Sequence, residues 1–221
     1  PNAKLLVLTN DDLPAVPKIT KTVKTEDGRK KKVKNEALDK LPAEEKAKII
    51  EKRAARLRTL ARIKTEDWDG IIISHNMFER FPLTPETTAA FIQEQVDTLE
   101  RTVKEAKGEH MSKRSISGME TRIANLKEKL KDILDTDLDD IGIPFEQLGI
   151  DQLFVDEADM FKNLYYTTSM DRVSGLAQSN ANRSNDMFAK TQWLTRAMGG
   201  RGVVFATGTP ISNTMAEMYT M

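Results

Sequence analysis

Hydrophobic positions along the chain fall into two patterns: short apolar runs and long stripes at helical spacing. The short runs occupy residues 5–8, 71–73, 150–155 and 203–206. Runs without polar alternation are typical of strands whose two faces are both covered, as in a parallel sheet. The sequence therefore predicts four buried strands separated by helical segments, which is an α/β layout of the doubly wound kind.

Two long segments carry apolar residues at alternating steps of three and four, which is the seven-residue repeat of packed helices. The first stripe consists of Ile92, Val96, Leu99, Val103 and Ala106, and the second of Ile116, Met119, Ile123, Leu126, Leu130 and Ile133. Thr84-Pro85 provides a hydroxyl cap and a proline for the start of the first helix. The pattern predicts an antiparallel helical hairpin around a polar break at 107–112. The alternative is a coiled coil that binds a partner, and we favour the self-packed hairpin because each stripe has its complement in the same chain.

Charge is distributed unevenly although the formal net charge is zero. Residues 18–64 contain 17 lysines and arginines against 7 acidic residues. Within this part, 18–34 alternates around Asp27-Gly28 and predicts a basic β-hairpin. Residues 42–63 predict an amphipathic basic helix, whose apolar stripe consists of Ile49, Ile50, Ala54, Leu57, Leu60 and Ala61. A later helix is expected to be capped by Asn185-Asp186 and to stop at Gly199-Gly200.

Composition excludes several classes of protein. The 221 residues contain no cysteine and two histidines, so disulfide frameworks, thiol nucleophiles and zinc clusters of the cysteine type are ruled out. The longest aliphatic run is far shorter than the roughly 20 apolar residues that cross a bilayer. We expect a soluble cytoplasmic protein. Because the first residue is Pro1 and the first methionine is Met77, we also expect the chain to begin inside a longer polypeptide.

Four polar residues follow the four predicted strands: Thr9, Ser74, Asp156 and Thr207. In open α/β sheets the ligand lies off the carboxyl ends of the strands. Asp156 is followed by Glu157, and residues 135–159 hold nine acidic residues and no basic one. One carboxylate of such a pair can hold hydrated Mg²⁺ while the other polarises an attacking water. An isolated pair would be better explained as acids at a helix N-terminus.

Sequence motifs set this pair apart from an isolated one. Residues 154–159, F-V-D-E-A-D, resemble the Walker B motif (motif II) of superfamily-two helicases, and F-K-N at 161–163 is similar to the Swi/Snf-type DNA translocases. A-T-G-T-P-I-S-N at 206–213, whose Thr207 stands fifty-one residues after Asp156, resembles their motif III. L-T-N at 8–10 and I-S-H-N at 73–76 resemble motifs Ia and Ib. The amino-acid sequences of 65–75 and of 214–219 are similar to segments of the large helicase and methyltransferase fusion proteins of phages, plasmids and conjugative elements.

The resemblance implies an α/β fold with a RecA-like parallel sheet, incomplete here, that carries the coiled-coil hairpin as an insertion. It implies ATP and Mg²⁺ as cofactors, with Asp156 holding the metal and Glu157 the catalytic water. Thr207 and Thr209 are implied to couple the motifs to nucleic acid, together with Asp159, where the family usually has histidine.

Nucleic-acid contacts are expected in two places. The resemblance assigns backbone contacts to the loops at Thr9 and at Ser74 and His75. Phosphate contacts dominate non-specific affinity for DNA, so we hypothesise that basic residues help to track a duplex: Lys30, Lys31, Lys32, Arg53 and Arg56. A merely solvated helix and loop has nearly equal weight.

The predicted organisation is a first part of the lobe at 1–83, with the basic hairpin at about 14–40, then the helical hairpin at 84–135 and the motif-bearing part at 136–221. No G-x-x-x-x-G-K-[ST] loop occurs, and the partner expected to complete the site is a second RecA-like lobe of the same polypeptide. We therefore expect part of an ATP-driven translocase or helicase, inactive in isolation. The alternatives are a catalytically silent scaffold and a metal-dependent nuclease or phosphatase, which would need further ligands at other strand ends.

Overall fold

The computed structural model describes residues 3–16, 20–24, 30–34, 41–106, 113–134, 143–162, 164, 182–211 and 215–219. The chain divides into two compact units, Pro1–Phe81 and Pro82–Met221. Both mix helices with parallel strands, which confirms the predicted α/β class. The Asp27-Gly28 turn and the polar break at 107–112 lie outside the described residues, and the predicted domain bounds stay predictions.

The described residues of the first unit form four strands and two helices. In chain order they are β1 (Leu5–Val7), β2 (Thr20–Lys24), β3 (Lys30–Lys34), α1 (Ala43–Thr65), β4 (Gly70–Ile72) and α2 (His75–Phe78). The second unit contains α3 (Pro85–Ala106), α4 (Lys113–Leu134), β5 (Leu153–Val155), α5 (Asn182–Ala197), β6 (Val203–Phe205) and α6 (Ala216–Tyr219), with 3₁₀ turns at Phe145–Gln147 and Ala158–Phe161.

The strands form three separate pairs within the described part of the chain. β1 pairs with β4 and β5 with β6, both in parallel, while β2 and β3 form the antiparallel basic hairpin that the sequence predicts. The four predicted strands are therefore present, each three residues long.

The prediction that both faces of these strands are covered is wrong for the described residues. Leu6 is buried, but Val7 and Ile72, which lie opposite each other in the register, are more than half exposed. Phe154 on β5 is 71% exposed, whereas its neighbour Val155 is buried. Successive side chains of a strand point to opposite faces. β1 and β5 each bury one face and leave the other open, whereas on β6 both Val204 and Phe205 are exposed.

Helix α1 begins just after Pro42 and carries acidic residues in its first turn and basic residues in its last, as the helix dipole favours. Its buried side is centred on Ile49, Leu60 and Ile63. Ile50 and Leu57, which the sequence assigned to the apolar stripe, are about half exposed. The helix predicted at 42–63 is therefore present, but its buried side is rotated about the helix axis away from the predicted apolar stripe.

Helices α3 and α4 pack together through the two predicted stripes. The buried members of this cluster are Ile92, Val96, Leu99, Val103, Met119 and Leu126, and the partly buried ones are Ile116, Ile123, Leu130 and Ile133. Each of the two helices has 22 residues and is ~33 Å long.

Thr84 caps α3 as predicted. Its Oγ1 accepts a hydrogen bond from the Thr87 amide at 3.2 Å, and Pro85 is the first residue of the helix. The Glu146 carboxylate accepts hydrogen bonds from the Thr84 amide at 2.8 Å and from its hydroxyl at 3.0 Å. The cap thereby also ties the start of α3 to the 3₁₀ turn that precedes β5.

Helix α5 begins at Asn182, so the predicted cap at Asn185-Asp186 is wrong. Asp186 lies inside the helix and accepts a hydrogen bond at 2.5 Å from the ammonium group of Lys190, one turn later. Lys190 is completely buried. A buried lysine requires a charged or strongly polar partner, and the carboxylate serves that structural purpose rather than capping.

A separate ion pair, between Arg196 and Glu94, ties α5 to α3. The Arg196 guanidinium donates two hydrogen bonds of 2.9 Å to the Glu94 carboxylate, and it lies 4.9 Å from the ring centre of Phe91. Hydrogen bonding to Arg196 lowers the pKa of Glu94, and the same contact raises the pKa of Arg196. The helical pair is therefore joined to the helix that leads into β6.

Among the helices that the structure describes, none is both long enough and apolar enough to cross a bilayer.

Gly202 gives a test of the approach to β6. Its φ is +99°, and a Cβ built on it would lie 2.8 Å from the Asp151 carbonyl oxygen. Because this neighbour is backbone and cannot move aside, Gly202→Ala should lower the free energy of unfolding by about 2 kcal/mol or more. Gly118→Ala is the control, since Gly118 lies in α4 with no neighbouring atom within 4 Å. It should raise that free energy by about 0.5–1 kcal/mol. Urea unfolding of both variants measures the difference, and equal effects would contradict the prediction.

Candidate functional site

The parallel pairing of β5 and β6 brings two sequence motifs side by side. Val155 and Phe205 are partners in the register. Beyond them the Ala206 amide donates to the Val155 carbonyl at 2.8 Å, and the Ala158 amide donates to the Ala206 carbonyl at 3.0 Å. The D-E-A-D segment and the T-G-T-P segment are therefore hydrogen-bonded to each other although 51 residues separate Asp156 from Thr207.

Asp156 and Glu157 form the exposed part of this junction. Both residues are exposed, and the Glu157 amide donates to the Asp156 carboxylate at 3.0 Å. Glu157 has φ 50° and ψ 47°, and it is the non-glycine residue with positive φ among those the structure describes. This left-handed conformation is strained for a residue with a side chain. The strand thus ends in a sharp turn that leaves two adjacent carboxylates open to solvent.

A chain of hydrogen bonds connects the two motifs behind the acidic pair. The Thr207 hydroxyl donates to Asp159 Oδ1 at 3.0 Å, and the Thr209 amide donates to Thr207 Oγ1 at 3.1 Å. A movement of either loop therefore changes the hydrogen bonding of the other. Of the residues assigned to coupling in the sequence, the structure brings all three together.

The acidic pair suits a hydrated magnesium ion better than a metal held by protein alone. The described residues contain no group of three or more histidine, aspartate or glutamate side chains that could hold an ion. Mg²⁺ keeps several waters and commonly takes one or two carboxylates together with substrate phosphates. Asp156 and Glu157 are two exposed carboxylates of the kind that this donor set uses.

In the first unit, the loop residues to which the motif resemblance assigns nucleic-acid contacts follow the ends of β1 and β4. Thr9 is held in a turn by Asp12, whose carboxylate accepts bonds from the Thr9 amide at 2.8 Å and from its hydroxyl at 2.7 Å. These hydrogen bonds, the one from the hydroxyl above all, hold the pKa of Asp12 below its ordinary value. Sequence reasoning assigned no role to Asp12, although the turn residues around it were a signal.

Ser74 and His75 begin the short helix α2. Ser74 is exposed, and its carbonyl accepts the amide of Met77 at 2.9 Å. The parallel register of β1 and β4 places Ser74 and Thr9 at the same edge of their pair. Two hydroxyl-bearing residues at one edge agree with the placement that the motif resemblance implies.

The basic residues fall into two groups. Lys30, Lys31 and Lys32 lie on β3 with Lys24, Val23 and Thr22 as their respective partners. Arg53 and Arg56 lie on α1, where both are only partly exposed.

Arg56 does not have the surface position expected of a phosphate contact. Its guanidinium donates to the Arg80 carbonyl, and burial, followed by the charge of Arg80, lowers its pKa. Arg56 lies seven residues after Ile49, which places it on the buried side of α1. Its guanidinium therefore ties α1 to the segment that follows α2.

Two ion pairs of the second unit were missed by the sequence reasoning. Asp186 and Lys190 stand at helical i, i+4 spacing, which was a usable signal. Lys162 and Glu217 pair at 3.4 Å across 55 residues, and no local pattern indicates such a contact.

Comparison with known proteins places the chain in a family. A family model described as "Probable helicase domain" matches residues 32–221, and the chain therefore belongs to that family. One individual relative is the Defense against restriction protein B of Escherichia phage P1, which is 34% identical to this chain over 79 residues. The aligned segment covers 35% of this chain and 4% of the relative. No solved structure matches.

The strain at Glu157 can be measured. Glu157→Gly should unfold with a free energy about 1 kcal/mol higher than Glu157→Ala, because only glycine adopts a left-handed conformation without steric cost. Asp156→Gly and Asp156→Ala are the matched controls, since Asp156 has no positive φ. There alanine should be the more stable. Urea unfolding of the four variants gives the comparison, and the same order at both positions would argue against a strained Glu157.

Proposed function

We propose that the chain is part of the first RecA-like lobe of an ATP-dependent motor that moves along nucleic acid, with DNA as the partner and the α3–α4 pair as an inserted coiled-coil hairpin. The observation that carries the proposal is the junction of β5 and β6. The exposed Asp156 and Glu157 follow one strand. The threonine loop, residues 207–210, follows the neighbouring strand and is hydrogen-bonded to Asp159, two residues after Glu157. Membership of the helicase-domain family supports a helicase-related role.

The acidic residues have distinct roles in this proposal. Asp156 would hold the hydrated Mg²⁺ of a Mg²⁺–ATP complex. Glu157 would accept a proton from the water that attacks the terminal phosphate as the phosphoanhydride bond breaks and ADP leaves. When bound, the magnesium ion supplies positive charge that neutralises the phosphate oxygens. Asp156 can orient the Glu157 turn through the hydrogen bond between its carboxylate and the Glu157 amide.

The threonine loop has the role of coupling. Thr207 shares a hydrogen bond with Asp159, two residues after Glu157, and Thr209 bonds in turn to Thr207. A shift of the acidic turn on nucleotide hydrolysis would be passed through these bonds to the loop after β6. Such a relay requires short hydroxyl side chains that can exchange partners at small displacements.

The remaining parts of the motor are assigned elsewhere in the polypeptide. The 221 residues carry no glycine-rich phosphate loop, so phosphate binding, and the second lobe that closes over the nucleotide, belong to other segments. Within this chain, the nucleic-acid contacts are assigned to Thr9, Ser74 and His75 and to the lysines of β3. The partly exposed Arg53 joins them, whereas Arg56 does not.

The catalytic assignment is tested in the complete protein by Glu157→Gln. Removal of the proton acceptor should lower the nucleic-acid-stimulated release of phosphate from ATP by at least about a hundredfold. ATP binding, measured by titration with a fluorescent analogue, should persist. Asp151→Asn is the control, because Asp151 is an exposed acid just before β5. Undiminished hydrolysis by Glu157→Gln would refute the assignment.

The basic hairpin is tested by a salt series. The triple change of Lys30, Lys31 and Lys32 to glutamate in the complete protein should weaken binding to a duplex. It should also reduce the slope of log affinity against log salt by about one for each phosphate that the protein no longer neutralises. The matched control reverses three exposed lysines of α4: Lys127, Lys129 and Lys131. If both triple variants gave the same affinity and slope, the hairpin would have no part in binding.

A further inference from the structure

A largely buried ion pair lies beside the junction of the two motifs. Lys162 Nζ is 3.4 Å from Glu217 Oε2, and the two side chains are only 18% and 6% exposed. The ion pairs Lys127–Glu100 and Arg196–Glu94 are different, since their side chains are 39 to 56% exposed. Water screens the latter two pairs but largely not the first.

The positions of the two charges are specific. Lys162 follows the 3₁₀ turn that starts directly after Glu157, and Glu217 lies on α6, ten residues beyond Thr207. Three contacts therefore join the same two segments in order along the chain. They are the backbone bond from Ala158 to Ala206, the bond from Thr207 to Asp159, and the Lys162–Glu217 pair.

Stability alone does not account for a buried pair of this kind. Removing two charges from water costs about as much as their attraction returns, so an apolar pair of similar size is often as stable. A buried charge pair does, however, discriminate strongly between arrangements, because each charge requires its partner. The Lys162–Glu217 pair thus holds α6, which follows the T-G-T-P segment, against the residues that follow the D-E-A-D segment.

The segment after β6 is tied to the segment after β5 at two described places. At Thr207, next to the strand pairing, the hydroxyl donates to Asp159 at 3.0 Å. At Glu217, ten residues later, the ion pair with Lys162 holds α6. A hydrogen bond weakens steeply when its length or angle changes, so a displacement of α6 that reaches Thr207 would weaken its bond to Asp159.

We propose that Lys162 and Glu217 are positioning residues for the hydrolytic site, which hold the threonine loop in register with the acidic turn. The inference rests on the proposed ATP hydrolysis and extends it to two residues that contact neither nucleotide nor metal. Loss of either charge frees the loop and slows turnover, while the affinity for ATP is little changed.

The test is a charge exchange in the complete protein. Lys162→Glu, Glu217→Lys and the double variant are compared with wild type by kcat and KM for ATP in the presence of nucleic acid, and by the midpoint of thermal unfolding. Each single variant should lose about tenfold or more in kcat with KM within about threefold. The double variant should recover most of kcat, because the pair is restored in reverse.

The matched control is the same exchange at the exposed pair, Lys127→Glu with Glu100→Lys, which should leave kcat unchanged. Single variants with wild-type kcat, or a double variant that recovers the unfolding midpoint but not kcat, would overturn the positioning role. Glu157→Gln, assayed in parallel, separates the two proposals. If it leaves hydrolysis intact, the proposed function fails, and Lys162–Glu217 is then a structural tie alone.

Discussion

The parallel register of β5 and β6 is the constraint on which the candidate site depends. Two three-residue strands pair so that Val155 lies opposite Phe205. The residues that directly follow the two strands are then hydrogen-bonded to each other, Ala158 to Ala206 and Thr207 to Asp159. A slip of one residue would turn every side chain of the strand to the other face, and Asp159 would lose Thr207. The chemistry at the strand ends is therefore set by a few backbone hydrogen bonds.

The candidate site consists of buried supporting residues and an exposed acidic pair. The supports are buried: Val155 in β5, Phe161 after the acidic turn, and the Lys162–Glu217 pair. The acidic pair itself remains exposed and carries the strained backbone of Glu157. Buried supports beneath an exposed, strained turn are an arrangement in which a ligand can change the turn without unfolding what holds it.

Local patterns predicted most of the elements but not how their faces are used. The stripes of α3 and α4, the Thr84 cap and the basic hairpin follow from spacing and turn chemistry, and each is present. Continuous apolar strands suggested cover on both faces, yet Phe154 is largely exposed. The predicted stripe of α1 is rotated from the buried side, so that Arg56 was placed in solvent although its guanidinium bonds to the Arg80 carbonyl. A pattern gives the period of an element but not what packs against it.

The sequence by itself determined the type and order of the elements and the residues of the two motifs, because period, capping and turn propensity act over a few neighbouring positions. Only the tertiary structure decided that Thr207 meets Asp159, that Lys162 meets Glu217, and that Lys190 is buried with Asp186. The first two contacts join residues 48 and 55 positions apart. They arise from strand pairing and from the cost of leaving a polar group without a partner, and no local rule encodes either.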